Sequence, residues 1–288
     1  MGRRMLVVAV ALSALTVLTT GWVRESAPAV PTCFGRLATI VVPTLPNENR
    51  PINGTSGDDV IVGGAGDDII FGDGGDDLLC ARKGRDVVYG WEGNDRLSGA
   101  RGQDRLYAEM GNDVIRGGAG NDLVAGGLGS DLMRGGPGND TASFSQDNLQ
   151  GPIIVDLGAG TAMGASGQDL LAPGTIENVV MNCSAEQDDV LIGDGGSNIL
   201  AAGSGADLIR GNGGTDELYG GTPSQDVGDA FCTLDDGPDQ LFGGPDDDRL
   251  FGQINDDVLD GEEGTDELDG GLGTDACRNG ESLVACET

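Results

Sequence analysis

The 288-residue chain contains no histidine. That excludes Ser-His-Asp and Cys-His nucleophile systems, HExxH zinc sites and any imidazole general base. Cations are scarce: 16 Lys and Arg face 48 Asp and Glu, for a formal net charge of −32. Such a chain is a poor partner for a nucleic-acid backbone or an anionic membrane, and favours cations or basic surfaces. Aromatic residues make up only 4%, too few for a thick core. No GxSxG occurs, and the Gly-rich stretches lack the Lys-Ser/Thr of a phosphate-binding loop. Paired carboxylates alone do not indicate a glycosidase, because 48 acids guarantee a pair within range. What the chain has in excess is glycine, 53 residues of it. With so much acid this composition reads as disorder unless the glycines are periodic.

Residues 1–29 read as a secretory signal. Arg3 and Arg4 precede an apolar stretch from Leu6 to Leu18, and Ala27-Pro28-Ala29 offers a cleavage site before Val30. The apolar run is short for a membrane span, and no later segment is long enough. Cleavage leaves 13 cations against 47 acids, a charge of −34. Six cysteines remain: Cys33, Cys80, Cys183, Cys232, Cys277 and Cys286. An even count in an exported chain reads as disulfides. Fifteen pairings exist and sequence alone does not choose; the sequential set 33–80, 183–232 and 277–286 is the working expectation. A zinc site is the rival, weakened by the absence of CxxC and His.

The glycines are periodic. Asp59, Asp68, Asp77, Asp86, Asp95, Asp104, Asp113, Asp122, Asp131 and Asp140 recur every nine residues. Gly stands two places before each. Gly also stands five before, except at Ala81 and Ala108. Two places after lies an apolar residue, from Ile61 and Ile70 to Met133 and the weaker Ala142. The phase breaks, then resumes as Asp189, Asn198, Asp207, Asp216, and again as Asp239, Asp248, Asp257, Asp266, Asp275. A linker needs no inward face, so the in-phase apolar positions predict structure. Glycines permit turns with positive φ and exposed carbonyls. The residues after Asp suit a short strand with one inward side chain. Two units then make one coil of a flattened solenoid, and successive turns stack about 4.8 Å apart.

Two carboxylates at that spacing repel by roughly 3.5 kcal/mol at an effective dielectric of about 20. A ladder of them opposes folding by more than a typical net stability of about 5–15 kcal/mol. Calcium, which takes six to eight carboxylate and carbonyl oxygens, reverses that sign. The expectation is a calcium switch, coil without metal and β-roll with it.

The units GGAGDDIIF (63–71), GGAGNDLVA (117–125) and GGLGSDLMR (126–134) resemble the RTX, or haemolysin-type, calcium-binding nonapeptide GGxGxDxUx. The resemblance covers most of 54–276 and implies a parallel β-roll with Ca²⁺ between the turns of units i and i+2. Ion-sharing pairs carried over include Asp59 with Asp77, Asp95 with Asp113, Asp104 with Asp122, Asp113 with Asp131, and Asp122 with Asp140. The full implied ligand set adds Asp68, Asp189, Asp207, Asp216, Asp248, Asp257 and Asp266, with turn carbonyls completing each shell. Departures weaken some turns: ARKGRDVVY (81–89) puts three cations beside Asp86, AEMG opens the unit at 108, and Asn198 replaces Asp. Asp246 and Asn255 replace the Gly before Asp248 and Asp257, which predicts turns that are distorted or that bind differently. The ending GGLGTDACRNGESLVACE (270–287) is similar to the close of exported actinobacterial-type RTX proteins. It implies a Cys277–Cys286 staple, with Cys286 in phase on the opposing sheet.

The expected fold class is thus all-β, a parallel β-roll (two-sheet β-solenoid) with short N- and C-terminal caps. Its expected segments are a signal peptide (1–29), an N-terminal cap (30–53) and repeat block 1 (54–143). An inter-block spacer (144–187), block 2 (188–221), a loop spacer (222–236), block 3 (237–276) and a C-terminal cap (277–288) follow. Strand signals at Ile153–Leu157 and Ile176–Met181 carry the solenoid through the spacer as an enlarged coil. Arg82, Lys83 and Arg85 are read as neutralising neighbouring carboxylates rather than docking an acidic ligand. Trp91, Tyr89 and Tyr107 are read as isolated outward aromatics. The expected function is a secreted, non-enzymatic Ca²⁺-binding protein, structural or adhesive, with a cell-envelope or matrix partner. It would bind no nucleic acid and span no membrane after cleavage. The alternative is a calcium-dependent extracellular hydrolase or epimerase module, which would lose activity with a single carboxylate pair.

Overall fold

In each nonapeptide the Asp is followed by an apolar side chain between two variable ones. That period-2 pattern suits a strand with one buried face. The computed structural model describes residues 30–41, 51–144, 151–164, 167–181, 187–221 and 237–287, and all regular structure among them is β. The strands form a twelve-stranded and a fourteen-stranded sheet that face each other, plus a small two-stranded one. Consecutive units alternate between the large sheets. Leu106 pairs in register with Val88 on one side and Val124 on the other, so one coil takes eighteen residues. The chain is a parallel β-solenoid of about 12 turns.

The core is a column one side chain wide. Ile61, Ile70, Leu79, Val88, Leu97 and Leu106 are fully buried, arriving alternately from the two sheets. Burying each contributes about 2 kcal/mol, and no coil buries its residue without neighbours. Glycine two places before Asp is required by close packing of turns. Gly102 has φ +139°, and a Cβ there would strike the Gly84 carbonyl oxygen of the preceding coil. Asp246 and Asn255 take the equivalent place. They keep positive φ, +84° and +79°, a region Asn and Asp tolerate better than other side chains.

Both sequence breaks are bridged. Leu208 pairs with Gln240 across the second, so residues 222–236, which lie outside the described residues, leave the sheet register intact. Across the first, Leu132 pairs with Leu170 and Asn178 with Thr141. The spacer is more than an enlarged coil. Strand Thr161–Gly164 inserts antiparallel between Ile154–Asp156 and Gly167–Leu171, the one antiparallel strand in the two large sheets among the described residues.

The ends differ from expectation in detail. Ile40–Val41 does extend the fourteen-stranded sheet beside Val60–Val62. The hairpin Thr32–Cys33/Arg36–Leu37, however, folds onto that sheet's outer face, where Cys33, Val60, Val62 and Leu78 cluster and Phe34 packs against them. Outward Val60 and Leu78 need this cover. Cys33 and Cys80 are bonded, as are Cys277 and Cys286; Cys183 and Cys232 lie outside the described residues, as do residues 1–29. Cys286 is not in phase. Leu283 takes the register position opposite Leu268, because the last coil is three residues short. Nor are the aromatics isolated: Phe71, Tyr89 and Tyr107 stack coil on coil, with centroids 5.2 and 5.0 Å apart.

Candidate metal-binding turns

Each repeat Asp enters its turn directly before a strand, which fixes its carboxyl under the turn of the coil before. Oδ1 accepts the backbone N–H of the residue one coil earlier: Asp59 to Asp77, Asp95 to Asp113, Asp104 to Asp122, Asp113 to Asp131, Asp122 to Asp140, at 2.6–2.9 Å. The later blocks repeat this from Asp189 to Asp207, Asp216 to Asp248, Asp248 to Asp266 and Asp257 to Asp275. These carboxyls are buried; Asp140 and Asp216 have no exposed surface at all.

The second oxygen is the informative one. Oδ2 of Asp77, Asp95, Asp104, Asp113, Asp122 and Asp131 is buried with no hydrogen-bond partner, as is that of Asp140, Asp216, Asp248 and Asp266. Asp86 and Asp275 share this state. A buried acceptor left unmade costs about 1–3 kcal/mol, more when charged. Over Gly72, the Asp77 Oδ2 and the Gly90 carbonyl oxygen of the next coil flank one small space, which a Cβ would fill. The same pairing recurs over Gly117 with Asp122 and Gly135, and over Gly243 with Asp248 and Gly261. Among the described residues, no three acidic or cysteine side chains converge to hold a metal. A shell here must therefore draw on carbonyl oxygens. A carboxylate oxygen and a carbonyl oxygen are a hard, all-oxygen donor set, which suits Ca²⁺.

Three positions are self-satisfied instead. Asp59 Oδ2 accepts from the Thr55 N–H at 2.8 Å and its hydroxyl at 2.9 Å, and Asp68 Oδ2 accepts from the Gly64 N–H at 2.7 Å. Asn198 accepts from the Asp194 N–H and donates through Nδ2 to the Glu177 carbonyl, both near 2.9 Å. Replacing Asn198→Asp removes that donor and restores a charged oxygen. We expect more calcium bound per chain by titration calorimetry, with metal-free stability lowered by about 1–3 kcal/mol.

Sequence reasoning missed four members of the ladder. Asp131 donates to Asp169, Asp140 to Glu177, Asp266 to Glu281 and Asp275 to Glu287. Each carries the column across a spacer or ends it. A further ladder runs outside. Where the residue before a repeat Asp is itself Asp or Asn, it can accept the N–H of its counterpart one coil later, as Asp58 does from Asp76, Asp76 from Asn94 and Asn94 from Asn112. Its sense is opposite to that of the buried ladder.

Burial dominates the electrostatics. It raises the Asp113 carboxyl to about 8, Asp77, Asp86 and Asp216 to about 7, and Asp95 and Asp104 to about 6. In these six the hydrogen bond from the coil before opposes the rise. Repulsion from other carboxylates adds less than burial does. The stacked-charge repulsion expected from spacing is therefore secondary to desolvation. The cations at Arg82, Lys83 and Arg85 stand outside the buried ladder. They are exposed, Asp86 is buried, and none of the three forms an ion pair among the described residues.

A family model described as the RTX calcium-binding nonapeptide repeat, in four copies, matches residues 52–79, 81–106, 107–142, 187–222, 235–259 and 242–276. No curated protein matches the chain.

Proposed function

Because the chain belongs to the RTX calcium-binding nonapeptide repeat family, whose repeats bind calcium, we propose that it is a secreted protein that folds on binding Ca²⁺ and then serves a structural or adhesive role outside the cell. The observation that carries this is the column of buried Asp oxygens without partners. On this reading Asp77, Asp95, Asp104, Asp113, Asp122, Asp131 and Asp140 hold ions in the first block, with Asp216, Asp248 and Asp266 beyond it. Asp189, Asp207 and Asp257 stand at the same ladder position. Asp59 and Asp68, already satisfied by their own turns, begin the column. Calcium supplies the positive charge that lets these carboxylates stay ionised while buried. The chain's own part is to aim Oδ1 at the neighbouring coil and set Oδ2 beside a turn carbonyl oxygen.

Export is supported by the positively charged, apolar start of residues 1–29 and by two disulfides, which persist in oxidising compartments. No helix among the described residues is long and apolar enough to cross a membrane. The roll works as a scaffold on this reading, with calcium its ligand and an envelope or matrix component its partner. The test is far-UV circular dichroism of the disulfide-bonded chain, titrated with Ca²⁺ from chelator, with Mg²⁺ as control. We expect a cooperative coil-to-β transition with Ca²⁺ alone. A spectrum already β-rich in chelator and indifferent to Ca²⁺ at neutral pH sinks the proposal.

A further inference from the structure

The cations of this acidic chain gather on one face. Four consecutive strands of the fourteen-stranded sheet are Leu78–Lys83, Arg96–Arg101, Val114–Ala119 and Leu132–Arg134. With the turns that follow them they carry seven of the chain's 16 Lys and Arg, all exposed. The only acids in the same strands and turns are Asp86, Asp104, Asp122 and Asp140, and each is buried. Gln103, Asn121 and Asn139 precede the repeat Asp in these turns and are neutral. Asp58 and Asp76 hold that place on the opposite edge. The basic stretch ends at Asp67 in the turn before it and at Glu177 beyond Asp140.

Lys83 stands opposite Arg101, and Arg116 opposite Arg134, in adjacent strands, one coil or about 4.8 Å apart. Like charges so placed are destabilising. None of the seven forms an ion pair among the described residues; the pairs present there belong to Arg249. Arg101, Arg116 and Arg134 line one open groove of about 530 Å³, whose remaining lining is Gly, Ala and Pro. The Phe34 ring lies against Arg96 and Arg116, its centroid 4.6 and 5.4 Å from their guanidinium carbons. A ring covers the face of a guanidinium, whereas its N–H donors point out in the plane. The stack therefore orders two of the cations without using their donors.

We propose that this face binds a linear acidic glycan, whose sulfate or carboxylate groups lie along the roll axis in the groove between Arg101 and the pair Arg116 and Arg134. Arginine is the cation that takes such oxyanions bidentately, and the cations recur about once per coil. The groove lining offers no ring on which a base could stack and no apolar pocket for an anchoring side chain of a protein. A nucleic-acid duplex carries one charge per about 1.7 Å. It would continue past these four coils onto the rest of a chain of net charge −32, which repels it. A sparsely charged chain can end or bend away there. The inference names a partner class for the calcium-bound roll and rests on that reading, because the face exists only once the coils have stacked. The turns that border the groove contain Asp104, Asp122 and Asp140, so calcium held there makes the face more positive.

The experiment is fluorescence anisotropy of end-labelled dextran sulfate, hyaluronan and neutral dextran, titrated with the full disulfide-bonded chain in saturating Ca²⁺. Binding is expected to one or both acidic glycans and not to neutral dextran, weakening as salt rises past about 0.15 M. Preference for dextran sulfate assigns the face to sulfate, and preference for hyaluronan to carboxylate. The pair Arg101→Gln and Arg134→Gln leaves both Phe34 contacts in place and is expected to weaken binding about tenfold or more. The pair Arg210→Gln and Arg278→Gln removes the same charge farther along the roll and is expected to change it less than twofold. Circular dichroism of the same samples, with and without Ca²⁺, records the fold. A roll already β-rich in chelator counts against the calcium reading and can still bind the glycan. A folded roll that binds neither acidic glycan at low salt, binds neutral dextran equally, or is weakened as much by the second pair as by the first overturns this one.

Discussion

Held in chelator and taken from about pH 8 to about pH 5, the chain should gain β-sheet. Most proteins held together by ionised carboxylates do the reverse. The Asp113 carboxyl is pushed to about 8 in the roll, those of Asp77, Asp86, Asp169 and Asp216 to about 7, and those of Asp131, Asp140, Asp189 and Asp248 to about 6. Burial is the first cause in each. In an unfolded chain the same groups titrate near 3.9. Between about pH 4 and pH 8 the folded state therefore binds more protons, and the metal-free roll loses stability as pH rises through the folded values. Acid supplies neutrality where calcium supplies charge. Calcium binding needs the carboxylates ionised, so its midpoint should move to higher concentration as pH falls, and binding should release protons. Circular dichroism against pH, with and without Ca²⁺, reads both arms. A chelated chain whose β signal falls steadily on acidification from pH 8 would exclude this account of the ladder.

Replacing Asp95, Asp113 and Asp131 together by Asn should move stability in opposite directions with and without metal. These three are consecutive rungs on one edge of the roll. Asn keeps an oxygen for the N–H of the coil before and puts an amide where the unpartnered oxygen stood. Asn198 already shows the arrangement, with Nδ2 bonded to a carbonyl. Without calcium the triple variant loses three buried charges, so its urea midpoint at pH 8 should rise. With calcium those coils lose charged ligands, and the metal midpoint should worsen by about tenfold or more. Denaturant unfolding followed in both conditions gives the two signs. A shift of the same sign in both would mean that the carboxylates act only through local packing.

Much of the architecture was legible because three positions of the nonapeptide keep one phase. Leu97 and Leu106 were recognisable as inward from their distance to Asp95 and Asp104, and the eighteen-residue coil followed from alternation. What escaped was whatever left the phase. Asp169 carries the local mark, Gly two before and Leu171 two after, yet its distance from Asp131 hides it. Glu177 and Glu281 keep only an acid followed two places on by an apolar residue, in Val179 and Leu283, and a Glu in an Asp column is easily passed over. The antiparallel strand Thr161–Gly164 has no repeat signature; its place is set by the strands it fills between. The dominance of burial over repulsion was not legible either, because spacing gives the distance between carboxylates and nothing about the water excluded from them.

The opposed senses of the two hydrogen-bond ladders make the solenoid vectorial. A repeat Asp N–H is satisfied only by the coil that follows, and the column is closed at its far end by Glu281 and Glu287. At the near end, Thr55 and Gly64 complete the Asp59 and Asp68 carboxyls from within their own turns. Truncation is therefore asymmetric. Coils cut from the C-terminal side strand inward-facing donors on the new last coil. Coils cut from the N-terminal side strand carboxylate oxygens, which water or a cation can reach at the freshly opened face. A chain emerging N-terminus first has a self-sufficient beginning and stays incomplete at its growing edge until its last glutamates arrive.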